Sequence, residues 1–196
     1  DVYNSSGRSL TYSAIENLTG GTTADTFIFE DAAVHDGNIN GGNGIDELDY
    51  TAYTTSVDVN LTTGVATGVS GLVSNIENVT GGSANDTLTG SAGANVLDGS
   101  DGNDILNGMA GNDTLIGGNG NDELNGGTGN DTYSFNDNWG VDVINELAAA
   151  GTDNLNFSNV TTDIPNYTET AEDLALYEAF HAAFASDETW TLIVTN

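Results

Sequence analysis

Between Gly81 and Ser134 the chain reads GGSANDTLT GSAGANVLD GSDGNDILN GMAGNDTLI GGNGNDELN GGTGNDTYS, nine-residue units in unbroken succession. Position one is Gly throughout (Gly81, Gly90, Gly99, Gly108, Gly117, Gly126), and position six is Asp86, Asn95, Asp104, Asp113, Asp122 and Asp131. Position eight is always apolar or aromatic: Leu88, Leu97, Leu106, Leu115, Leu124 and Tyr133. Glycine at positions one, two and four, with Asn85, Asn103, Asn112, Asn121 and Asn130 at position five, is expected to allow left-handed backbone and close packing. The first six residues of a unit therefore read as a turn. Positions seven to nine place one apolar side chain between two more polar neighbours, a very short strand with a single inward residue.

One inward leucine per unit cannot make a core, so the units must stack, and alternate units must face each other for the leucines to meet. The expected body is a flattened coil of two units, about three coils at about 4.8 Å each, or roughly 14 Å of height. Stacking brings Asp86, Asp104 and Asp122 onto one edge and Asn95, Asp113 and Asp131 onto the other. Carboxylates in rows about 5 Å apart repel strongly when partly dry, so something must lie between them. Oxygen is almost the only donor available. A hard cation that takes roughly six to eight oxygens is Ca²⁺ rather than Mg²⁺, which keeps its waters, or Zn²⁺, which prefers His and Cys. The expected sites pair Asp86 with Asp104, Asn95 with Asp113, Asp104 with Asp122 and Asp113 with Asp131, the Asn95 site being weaker because it offers a neutral oxygen. A flexible acidic linker needs neither a leucine every ninth residue nor Gly and Asp in fixed phase with it.

Composition sharpens this. The 196 residues include 30 acidic side chains and one basic one, Arg8, for a net charge of -29. No phosphate backbone can be held by such a chain, and an anionic membrane surface would repel it, so nucleic acid and membrane insertion are excluded as partners. Cysteine is absent, removing disulfides and thiolate metal sites together. No apolar run approaches the length of a membrane span. The chain begins at Asp1 with no basic, apolar leader, so it is expected to be a mature product or an excised piece. At this charge and with so small a core, folding is expected to draw on the free energy of cation binding.

Weaker copies of the unit flank the regular stretch. Gly20 to Ile28 (GGTTADTFI) carries Asp25 at position six, and Gly41 to Asp49 (GGNGIDELD) carries Asp46. GIDELDYT at 44–51 returns as GTDNLNFS at 151–158, which matches Asp153 to Asp46 and makes it a further candidate ligand. IENLTGG at 15–21 likewise returns as IENVTGG at 76–82. The expected organisation is an N-terminal extension at 1–10, irregular coils with long loops at 11–80, a regular roll at 81–134, an end coil at 135–164 and a cap at 165–196. Val57, Val59 and Leu61 alternate with polar residues and read as a strand. Phe29, Phe135, Trp139, Val141 and Ile144 are expected to plug the ends. After Pro165, the run TAEDLALYEAFHAAFA from Thr170 has a capping-box start and helical spacing of Leu174, Tyr177, His181 and Phe184, and WTLIV at 190–194 reads as a short apolar strand.

These units, with the phrases IENVTGGSANDTLTG at 76–90 and GNDTYSFNDNWGVD at 129–142, resemble the RTX, or haemolysin-type, calcium-binding nonapeptide family. The resemblance implies an all-β, right-handed parallel β-roll, a calcium-bound solenoid, here with a short C-terminal helix and strand as cap. It also implies several Ca²⁺ ions, export by a type I secretion system, and a chain unfolded at cytosolic calcium that folds outside the cell. In that family each ion takes the position-six side chain together with carbonyls of the turn. Carried over, those carbonyls belong to Gly82, Gly102, Gly111, Gly118, Gly120, Gly127 and Gly129. Departures are Asn95 at position six, Ala84 at position four, and Ser91, Ser100 and Met109 at position two.

Catalysis is not expected. The only histidines are His35, in an acidic loop and expected to be exposed, and His181, expected to pack on the helix face. Neither sits in a zinc-hydrolase HExxH spacing. The favoured reading is a calcium-ion-binding module of a secreted, extracellular or cell-surface protein with a structural or adhesive role, in contact with a cell-surface or matrix partner. The other readings are a self-assembling subunit of an extracellular layer or filament, and the non-catalytic C-terminal domain of a secreted hydrolase or epimerase.

Overall fold

The computed structural model describes residues 2–5, 8–11, 16–146, 151–160 and 190–195, with backbone pairing alone for 2–11 and 190–195. Every regular element among them is a β-strand, and strands of the repeat region run parallel to their neighbours. One sheet stacks Thr26–Ile28, Glu47–Asp49, Asn78–Thr80, Val96–Asp98, Thr114–Ile116, Thr132–Asn136 and Asn154–Asn159 in that order. The second stacks Asp58–Asn60, Thr87–Thr89, Ile105–Ala110, Glu123–Thr128 and Val141–Glu146. The chain alternates between the two through the central repeats, so the molecule is a β-solenoid of the β-roll kind.

Register follows the position-eight residue. In the first sheet Phe27, Leu48, Val79, Leu97, Leu115, Tyr133 and Leu155 lie side by side, and in the second Val59, Leu88, Leu106, Leu124 and Ile144 do. All are buried except Leu155, which is partly covered. Each fully buried leucine contributes about 2 kcal/mol or somewhat more, and no unit has more than one to offer, which is why the coils stand only as a stack.

The rest of the chain closes the stack. Val2–Ser5 and Arg8–Thr11 form an antiparallel hairpin against Thr26–Ile28. Val65–Ala66 covers Asp58–Asn60, and Trp190–Thr195 runs antiparallel to Val141–Glu146. The expected terminal strand thus exists and lies on the last strand of the second sheet, where it blunts an otherwise open edge. The helix expected from Thr170, with His181, lies outside the described residues. The irregular coils at 11–80 hold a third parallel sheet of Asn17–Thr19, Asn38–Asn40 and Val73–Ser74, which the unit pattern does not announce.

Aromatic residues fill the two ends as expected, with one correction. Phe29 stacks on Tyr50 with ring centres 4.6 Å apart, and Tyr53 meets Tyr50 edge-on. At the other end Phe135 stacks on Phe157 at 4.7 Å, with buried Trp139 edge-on to both. Ile144 is buried, but Val141 is 45 % exposed because it stands at position five of its unit, outside the inward phase set by Ile144. His35 also departs from expectation. It is 1 % exposed, its Nε2 lies 3.3 Å from the Asn38 carbonyl oxygen, and its backbone bridges Val69. What the sequence presents as an acidic loop is paired here with residues 68–70, the His35 N–H donating to the Gly68 carbonyl at 2.6 Å and its carbonyl accepting the Ser70 N–H at 3.0 Å. Among the described residues no helix is long and apolar enough to cross a membrane.

Candidate metal centre

The turns are built by three devices, and two differ from their sequence reading. From the third regular unit on, positions two and four do take left-handed backbone: φ is +100° at Gly118 and +143° at Gly120, whereas Gly82, Ala84, Ser91 and Gly93 do not adopt it. Position one does not. Its glycine is there for space, since a Cβ on Gly108 would lie 2.5 Å from both Asp113 Oδ2 and the Gly126 carbonyl oxygen of the next coil. The position-five asparagines are not left-handed either. They form a ladder in which the side-chain oxygen of each accepts a backbone N–H one coil on: Asn85 from Asn103 (2.9 Å), Asn103 from Asn121 (2.8 Å) and Asn112 from Asn130 (2.9 Å). Asn121 and Asn130 continue it to Val141 and Thr152.

Beside that ladder runs one of carboxylates. On one edge Oδ1 of Asp86, Asp104, Asp122 and Asp142 accepts the N–H of Val57, Asp86, Asp104 and Asp122 respectively, at 2.7 to 3.0 Å. On the other edge Asp46 accepts from Asp25, Glu77 from Asp46, Asp113 from Asn95, Asp131 from Asp113 and Asp153 from Asp131, at 2.8 to 2.9 Å. The structure therefore joins Asp25, Asp46, Asp86, Asn95, Asp104, Asp113, Asp122, Asp131 and Asp153 into the two expected rows. All of these except Asp153 are at most 2 % exposed.

Two row members escaped the sequence reading. Asp142 follows Asp122 by 20 residues, so a rigid 18-residue template skips it, although DVIN at 142–145 repeats the DELN of 122–125 in kind. Glu77 holds position six before Asn78–Thr80. The recurrence of IENVTGG was visible, but the glutamate was not assigned to the acidic position. Val57 holds the same place before Asp58–Asn60 and gives that row an apolar end.

One oxygen of each of these carboxylates is thus spent on the fold; in Asp86 the second is spent too, its Oδ2 accepting the Gly82 N–H at 2.6 Å, while in six others it is left over. Oδ2 of Asp46, Asp104, Asp113, Asp122, Asp131 and Asp142 is buried and accepts no hydrogen bond. Burial, opposed by the N–H of Asp86 and reinforced by Asp122, Asp86 and Asp98, pushes the Asp104 carboxyl up to about 8. Burial likewise lifts Asp113 and Asp142 to about 7, the neighbouring Asp131 and Asp122 adding to it, and raises Asp46, Asp86, Asp122, Asp131 and Asp153. Dry anions in a row are costly unless a cation lies among them. Asn95 differs: its Oδ1 accepts the Ser91 N–H at 2.7 Å and its Nδ2 donates to the Glu77 carbonyl at 2.7 Å, so this member is satisfied without an ion.

The turn carbonyls close the donor set. A Cβ on Gly102 would lie 2.6 Å from the Ala84 carbonyl oxygen and 2.8 Å from Asp104 Oδ1, so main-chain oxygen of one turn lies close to the carboxylate of the next. Gly118, Gly120, Gly127 and Gly129 approach the carbonyls of Ser100, Gly102, Met109 and Gly111 in the same manner, and Gly82 approaches that of Tyr53. Paired carboxylates and carbonyls without nitrogen or sulfur suit a hard divalent cation with many oxygen ligands. The residues fit Ca²⁺, which would supply positive charge between successive Oδ2 atoms.

The family model of the RTX calcium-binding nonapeptide repeat, in four copies, matches residues 80–115 and again 98–133. No curated protein matches the chain. Residues 80–133 thus carry RTX calcium-binding nonapeptide repeats.

Proposed function

We propose that this chain is a calcium-ion-binding module of a secreted, extracellular protein, in which binding of several Ca²⁺ ions turns an extended polyanion into a rigid rod with a structural or adhesive role. One observation carries it: buried Oδ2 atoms without hydrogen-bond partners recur along both rows. A net charge of -29 compounds the repulsion, so ion binding and folding are one equilibrium. Calcium is scarce in cytosol and abundant outside cells, so the same equilibrium keeps the chain loose during export and sets it afterwards. The module acts by shape and has no catalysis of its own.

The test is a cation titration of the chelator-treated chain followed by circular dichroism. Ca²⁺ should raise the β signal cooperatively, and an equal concentration of Mg²⁺ should not. A full β signal in chelator, unchanged by Ca²⁺, would end this reading.

A further inference from the structure

We propose that Glu146 builds a calcium site of a different kind at the end of the solenoid, a three-carboxylate site with Asp131 and Asp153. The proposal rests on the calcium reading above. Strand Val141–Glu146 pairs with Glu123–Thr128 so that Asn145 lies beside Asn125. Glu146 therefore takes the place that Gly126 holds one coil earlier, the position that is glycine in every regular unit. A carboxylate thus stands where the repeat elsewhere excludes even a methyl group.

The surroundings accommodate it. In the regular units position one precedes position six by five residues, whereas Glu146 precedes Asp153 by seven. A carboxylate oxygen of Asp131, one of Glu146 and one of Asp153 lie within 4.8 Å of one another. Asp131 is 1 % exposed, and its Oδ1 already holds the Asp113 N–H at 2.8 Å. Its other oxygen, Oδ2, has no hydrogen-bond partner. That oxygen lies beside the Tyr133 hydroxyl, since a Cβ on Gly126 would lie 2.5 Å from Asp131 Oδ2 and against that hydroxyl, and the hydroxyl donates to Glu146 Oε1. Tyr133 also accepts the Gly126 N–H at 2.9 Å, which orients its O–H toward the glutamate.

Glu146 lies on the second sheet, while Asp131 and Asp153 precede strands of the first. An ion shared by all three therefore ties both sheets together at the last coil. Three formal charges, against two between neighbouring aspartates, make it the tightest site among the described residues, since calcium affinity rises with ligand charge.

Equilibrium dialysis with radioactive Ca²⁺ on the full chain tests this, comparing the parent with Glu146→Gln. The amide keeps an oxygen for the Tyr133 hydroxyl. The expected result is loss of one ion from the tightest class, with the remaining ions unchanged. The same ion count and affinities in both proteins would overturn the proposal. If the parent itself binds no Ca²⁺, the reading of the repeats has failed instead. Should Glu146→Gln not reach the parent's β signal at saturating Ca²⁺, Glu146→Asp takes its place. It should keep the full count while weakening the tightest ion by about tenfold or more, and an unaltered tightest affinity would be equally fatal.

Discussion

The backbone N–H of Asp104 donates to Oδ1 of Asp122, one coil further on, at 2.8 Å, and Asp104 in turn accepts from Asp86 at 2.7 Å. Asp104 and Asp122 are therefore rungs of the solenoid through Oδ1, and under the proposed function each offers its unpartnered Oδ2 to an ion. The two duties fall on different oxygens, so substitutions can separate them.

Asp104→Ala removes both. The buried Asp86 N–H loses its acceptor, which costs about 1–3 kcal/mol even without calcium. The sites shared with Asp86 and with Asp122 lose an oxygen. Asp86→Ala should affect mainly one site, because Val57 before it offers no side-chain oxygen. Asp104→Asn, oriented with its oxygen toward Asp86, should weaken two ions while sparing much of the ladder. Ion counts from dialysis, with calcium midpoints from circular dichroism, check the order; equal losses from Asp86→Ala and Asp104→Ala would refute the stacking.

Acidity should act in opposite directions with and without calcium. Asp104 is raised to about 8 and Asp113 and Asp142 to about 7 in the fold, from 3.8. Below 3.8 both folded and unfolded chains hold these protons, so no penalty arises. Between there and pH 7–8 only the fold holds them, and stability falls as pH rises. In chelator the β signal should therefore melt at lower temperature at pH 8 than at pH 5. In saturating Ca²⁺ the order should invert, because protons then compete with the ion. Thermal melts at both pH values, with and without chelator, decide it.

Met109→Gly should stabilise the protein. Met109 holds φ at +80°, and its side chain is 47 % exposed, so it contributes little packing in return for the strain. Relief of a left-handed backbone at a residue with a Cβ is worth about 1–2 kcal/mol, less the greater chain entropy that glycine adds to the unfolded state. Gly120→Ala should do the reverse and more, since φ there is +143° and the new Cβ would strike the Gly102 carbonyl. Melting temperatures in saturating Ca²⁺ should rank Met109→Gly above the parent and Gly120→Ala below it.

The fold and most of both rows could be read from the chain because one geometric rule repeats. Leu88, Leu106 and Leu124 declare the inward face, and Asp86, Asp104 and Asp122 declare the edge in the same phase. Where spacing drifts, phase must be found from the strand rather than from the count, and Asp142 at a step of 20 and Glu77 at a step of 31 were lost for that reason. The third sheet depends on pairings between Asn17–Thr19, Asn38–Asn40 and Val73–Ser74, and the place of His35 on its bridge to Val69, none of which a fixed period connects. The asparagine ladder was hidden differently: Asn tolerates left-handed backbone, and sequence cannot tell that use from a side chain accepting an N–H one coil away.

Asn95→Asp gives the sharpest separation between a carboxylate row that merely exists and one that requires an ion. In the parent, Asn95 Nδ2 donates to the Glu77 carbonyl at 2.7 Å, and Oδ1 takes the Ser91 N–H, so the amide closes a gap in the row using both of its polarities. An aspartate keeps the acceptor but turns the donor into a second acceptor, setting an anionic oxygen against the Glu77 carbonyl. Without calcium that pair has no hydrogen between it, and the variant should be less stable than the parent by about 1–3 kcal/mol. With calcium the same two oxygens face a common cation, and Asp113 on the next coil supplies another carboxylate. The variant should then bind more tightly at this point and melt higher than the parent. The sign of the effect should therefore change with calcium alone, read as melting temperature in chelator and in saturating Ca²⁺. A variant destabilised by the same amount in both would mean that no ion enters between Asn95 and Asp113.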